Sequence, residues 1–114
     1  MDITEHYRHV IEKIMKEYAG YKPSHGNIDT ELIIDIERNH YELMHVGWDG
    51  QDGQRRVHGC VIHLDIIGDK IWIQYDGTSY PVADELLAAG ISKESIVLGF
   101  HPADVRQYTG FAIG

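Results

Sequence analysis

The stretch Val57-His-Gly-Cys-Val-Ile-His-Leu-Asp-Ile-Ile67, closed by Gly68-Asp69 and continued by Lys70-Ile-Trp-Ile-Gln-Tyr-Asp76, decides the fold. Its apolar residues recur at every second position, the period at which successive side chains leave opposite faces of a β-strand. His58, Cys60, Ile62, Leu64 and Ile66 share one face, which reads as the core face, and Val57, Gly59, Val61, His63, Asp65 and Ile67 share the other. Gly68-Asp69 is a two-residue hairpin loop. Beyond it Ile71, Ile73 and Tyr75 alternate with Trp72, Gln74 and Asp76 in a partner strand.

Upstream, Leu32, Ile34 and Ile36 alternate with Ile33, Asp35 and Glu37, and Asn39-His40 suits a turn into a second strand over residues 41–48. There Tyr41, Leu43 and His45 oppose Glu42, Met44, Val46 and Trp48. The segment Asp49-Gly-Gln-Asp-Gly-Gln54 carries two Asp-Gly steps and belongs at an exposed hairpin tip. Four strands therefore form an antiparallel meander.

Helices flank it. Ile3, Tyr7, Val10, Ile11, Ile14, Met15 and Tyr18 fall on one face of a 3.6-residue period, which predicts an amphipathic helix over 3–18 with Asp2 and Thr4 as candidate caps. Gly20, Lys22 and Pro23 supply its stop, and Tyr21 to Asn27 reads as a connecting loop. After the meander, Pro81 suits the first position of a helix over 81–89 that Gly90 ends. Ser92 to Ser95 is a capped turn, Ile96 to Phe100 a short buried strand or extended segment, and Pro102 to Tyr108 a short third helix, with Thr109 to Gly114 left unassigned. The expected class is α+β: an N-terminal helix, a four-stranded antiparallel meander and short C-terminal helices in a single domain over 1–114.

Ten Lys and Arg against eighteen Asp and Glu leave the 114-residue chain at a net charge of −8. Nucleic-acid affinity comes largely from cations neutralising phosphates, so no direct DNA binding is expected. The lone cysteine, Cys60, forms no internal disulfide, and neither a targeting pattern nor an apolar run of the ~20 residues that span a bilayer is present, which points to the cytoplasm and away from a membrane.

Eight histidines invite a metal reading. His6 and His9 lie on the polar side of the first helix, and His58 and His63, five apart on one strand, point to opposite faces unless a bulge intervenes. A histidine site would have to join His45 or His63 to His101 across the fold. Cys60 with His58 is the only candidate nucleophile pair, on a face read as apolar, and His63 with Asp65 reads as a cross-strand polar pair. Arg55-Arg56 is balanced by Asp49 and Asp52, and the glycines of Gly47 to Gly53 lack the strand-loop-helix context of a phosphate loop. No catalytic set, metal or cofactor is assigned. The aromatics Trp48 and Trp72, with His63, fall on the face opposite the core, where they form a protein interface unless the C-terminal segment folds over them.

Several blocks together resemble the XisI family, the fdxN element excision controlling factor proteins known mainly from cyanobacteria. They are Glu17-Tyr-Ala-Gly-Tyr-Lys-Pro-Ser-His-Gly26, His40-Tyr-Glu-Leu43, Val46-Gly-Trp-Asp49, Arg56-Val-His-Gly-Cys-Val-Ile-His-Leu-Asp65, Lys70-Ile-Trp-Ile-Gln74 and Ile96-Val-Leu-Gly-Phe-His-Pro-Ala-Asp-Val-Arg106. Ala103 departs from a Pro-rich family pattern and leaves the start of the third helix in question. The resemblance implies an α+β protein that acts with an XisH-type partner in site-specific excision by a separate recombinase, and it supplies no catalytic residues. The expected role is a non-catalytic accessory factor acting by protein contact, with Trp48, His63, Trp72, Phe100, His101 and Pro102 as interface candidates. The rival readings are a histidine-based metal-dependent enzyme, a small-ligand-binding domain and a self-associating scaffold; a homo-oligomer is also compatible with the accessory role.

Overall fold

The computed structural model describes residues 2–21 and 26–114. Asp2 opens the first helix, α1 (Ile3–Ala19), by accepting a hydrogen bond from the backbone N–H of Glu5 at 3.0 Å, which satisfies one of the donors a helix start leaves unpaired. Thr4 lies inside the helix and caps nothing. Tyr7, Ile11, Ile14 and Met15 are buried on its apolar stripe, and Gly20 closes it by donating to the carbonyls of Lys16 and Glu17. Lys22 and Pro23, with Ser24 and His25 of the expected loop, lie outside the described residues.

Strands β1 (Asn27–Asp35), β2 (His40–Asp49), β3 (Arg55–Ile67) and β4 (Lys70–Asp76) pair as the antiparallel meander. β1 starts and ends earlier than the apolar alternation suggests. Ile36 and Glu37 belong to its turn, where Ile36 is 53% exposed and Asn39 takes a positive φ of 52°. Arg8 of α1 pins that turn by two hydrogen bonds to Asn39 Oδ1.

The sheet has one strand more than the meander. Helix α2 (Val82–Ala88), with Pro81 as its N-cap residue, leads through a 3-10 turn (Lys93–Ser95) to β5 (Ile96–Leu98), which lies parallel to β4. A parallel neighbour needs a long crossover, and the chain from Gly77 to Ser95 provides one. Sheet order is β1-β2-β3-β4-β5. After β5 comes the short α3 (Ala103–Arg106), which begins at Ala103 with Pro102 as its N-cap residue. The tail then returns across the sheet, with Ala112 bridged to Val97 and its N–H donating to the carbonyl of Ile96 at 2.9 Å.

Two bulges change which side chains face the core. Between the pairs Met44–Cys60 and Leu43–Ile62, Val61 has no partner; between His63–Tyr75 and Leu64–Ile73, Gln74 has none. One extra residue inverts the alternation of a strand. His58 and Cys60 therefore sit on the face opposite Ile62, Leu64 and Ile66, which corrects the single core face read for β3. Tyr75 likewise leaves the core face of Ile71 and Ile73 and is 49% exposed. The core joins α1 and α2 to the inner face through residues such as Ile11, Met15, Leu43, Ile62, Leu64, Ile73, Leu86 and Ile96. No helix among the described residues is long and apolar enough to cross a membrane.

Candidate functional site

The outer face of β2 and β3 gathers a connected set of polar side chains. Residues two apart on a strand share a face, and residues paired across strands sit side by side. His40 and Glu42 of β2 are paired with Asp65 and His63 of β3, so the four meet as a square. Asp65 is its hub. One carboxylate oxygen lies 2.7 Å from His40 Nδ1, and the other lies 3.0 Å from His63 Nε2 and accepts a hydrogen bond from Gln74 Nε2 at 3.2 Å. His40 Nε2 is 3.6 Å from Glu42 Oε1, and the two imidazole rings meet edge-on with centroids 4.5 Å apart. One ligating atom from each of His40, Glu42 and His63 lies within 4.8 Å of the others. The set can share protons or hold a cation, and its side chains are only partly exposed.

The sequence places His63 beside Asp65 and offers it to His101 and to the tryptophans, not to His40 or Glu42. The candidate site joining His45 or His63 to His101 does not form: His45 lines an inner-face cleft with Tyr18, Leu43 and Val61, while the His101 ring lies tilted against Phe100 with centroids 4.6 Å apart. His40 and Glu42 were missed. Their signal is the pair of patterns His40-x-Glu42 and His63-x-Asp65, each presenting two polar residues on one face of its strand. His6 and His9 sit with Lys13, Glu17 and Glu85 along a cleft of about 480 Å³ between α1 and α2.

The interface candidates fall into separate places. His63 and Trp72 are neighbours, because Asp65 bonds one and pairs with the other. The C-terminal segment folds over Trp72: the Arg106 guanidinium lies 4.9 Å from its ring centre, and a methyl group built on Gly99 would come within 3.0 Å of the ring. Trp48 is 46% exposed beneath the Arg56 guanidinium, and it stands eight positions along β2 from His40, ~26 Å at ~3.3 Å per residue. Phe100 and Pro102 are exposed beyond β5.

Two further features narrow the chemistry. Cys60 Sγ donates to the carbonyl of Ile62, and burial, reinforced by the charge of Glu42, pushes its thiol pKa up and away from nucleophilic use. Arg55 is engaged by Asp49 at 2.6 Å and Arg56 by Trp48, so neither stands as an uncommitted phosphate contact.

A family model described as XisI protein matches residues 1–113. Among solved structures, a XisI-like protein from Anabaena variabilis ATCC 29413 is 39% identical, with a TM-score of 0.88 and coverage of 97% of this chain and 99% of that one. The fdxN element excision controlling factor XisI from the same organism is 40% identical, with a TM-score of 0.82 and coverage of 99% and 100%. No curated protein matches the chain.

Proposed function

The chain belongs to the XisI family, and from that membership we propose that it is a controlling factor for excision of a DNA element, acting by contact with an XisH-type protein. The observation that carries this reading is the end-to-end likeness to the fdxN element excision controlling factor, at 40% identity over 99% of the chain. Physical features support the division of labour. A net charge of −8 opposes DNA, whereas it favours a partner with a basic surface and speeds that association at low salt. The suppressed thiol of Cys60 offers no nucleophile. On this reading the protein works in the cytoplasm beside the DNA, and the partner meets the outer sheet face around Trp48 and the Phe100-His101-Pro102 segment.

An excision reporter tests the role. Cells that carry the element, its recombinase and the partner should excise it only when this chain is supplied, and Trp48→Ala should lower excision while leaving the protein folded. Unchanged excision without the chain would end the proposal.

A further inference from the structure

We propose that His40, Glu42 and His63 form a binding site for one divalent transition-metal ion, with zinc the best fit, and that Asp65 positions both histidines for it. The inference is independent of the excision role. It rests on how Asp65 uses the rings. Its two oxygens engage Nδ1 of His40 and Nε2 of His63. A neutral imidazole that donates one N–H keeps a lone pair on its other nitrogen. The donors left are therefore Nε2 of His40 and Nδ1 of His63, and the first already faces Glu42 Oε1 at 3.6 Å.

This is the arrangement in which a carboxylate behind a ligating histidine fixes its tautomer and raises its basicity. Here one carboxylate serves two histidines, and Gln74 holds that carboxylate in turn. Two imidazoles and a carboxylate make up a known donor set for zinc with a fourth position open, whereas magnesium and calcium prefer all-oxygen sites. Ligands ~2.0–2.1 Å from a tetrahedral zinc stand about 3.4 Å apart; His40 Nε2 and Glu42 Oε1 are already 3.6 Å apart, and one ligating atom from each of the three residues lies within 4.8 Å of the others, so side-chain rotation brings the set onto the ion. The paired β2 and β3 supply the rigid base such a site needs. The Val61 bulge lies outside the pairing of these residues, and its effect is to bring His58 and Cys60 onto the same outer face.

The test is calorimetric titration of the tag-free, chelator-treated chain with Zn²⁺, repeated with Co²⁺ while its visible spectrum is followed. One ion per chain is expected, with the intense visible bands of tetrahedral Co²⁺ and no competition from Mg²⁺. His40→Ala and His63→Ala should each weaken binding at least ~10-fold, and Asp65→Asn ~10–100-fold. His58→Ala, on the same sheet face outside the cluster, should change nothing. Circular dichroism checks the fold of each variant, and Glu42→Gln, which keeps the side chain's shape, serves where an alanine variant fails to fold. Absence of one-to-one binding, or binding that survives the double replacement of His40 and His63, overturns the proposal.

Discussion

Asp65 is the residue on which most polar order of the outer face depends, since two imidazoles and one amide converge on its carboxylate. Its side chain is only 18% exposed, so Asp65→Ala strands partly buried partners and should cost ~1–3 kcal/mol in urea unfolding, against under ~0.5 kcal/mol for His58→Ala. The two tryptophans should separate in the same assay. Trp72→Ala removes the ring that Arg106 and Gly99 pack on and should cost ~1–3 kcal/mol, whereas Trp48→Ala, on an exposed ring, should stay under about 1 kcal/mol. A comparable loss at both sites would contradict the placement of the tail. Cys60 carries the pH prediction. Burial and Glu42 raise its native pKa, so any stability this group lends is full below the ordinary thiol value and is lost as pH rises through the raised one. Iodoacetamide should accordingly modify Cys60 in the native chain more slowly than in urea, with its pH midpoint displaced upward. Equal rates in the two states would show a free thiol.

At the scale of elements, the N-cap of α1 is the simplest device to test: Asp2→Ala removes the bond to the Glu5 N–H and should cost ~0.5–2 kcal/mol by thermal or urea unfolding, with Asp2→Ser restoring most of it. α1 and the meander were legible because their periods, 3.6 and 2, are written in apolar residues from Ile3 to Tyr18 and from Leu32 to Ile73. The bulges were not. Cys60-Val61-Ile62 is apolar throughout, so nothing in it marks the position where the period slips by one, and every face assigned N-terminal to Val61 on β3 was inverted. The His40–Glu42–His63 cluster was hidden for a different reason: it depends on cross-strand register that one strand's pattern does not contain. β5 was legible as a short apolar segment, but its parallel pairing with β4 follows from the crossover through α2. The tail from Thr109 to Gly114 has no period at all and takes its place from the contacts it makes, at Val97, Ile96 and Trp72.

At the scale of the whole molecule, the helices pack on one face of the sheet and the C-terminal segment packs on Trp72 of β4 on the other; the proposed partner surface is the outer face of β1, β2 and β3. That face carries Asp29, Glu31, Asp35 and Glu42 beside Met44, Val46 and Trp48, with Arg56 over the Trp48 ring as a basic exception. Such a surface suits a basic protein and repels a polyanion. The chain alone should therefore give no shift of duplex DNA even at low salt. The most direct test of the account is the mass, by light scattering on a sizing column, of this chain mixed with an XisH-type protein from its own source at low and then high salt. The account expects a joint peak at low salt that weakens as salt rises and is diminished by Trp48→Ala. Two separate peaks at low salt, each at the mass of its own component, would contradict it.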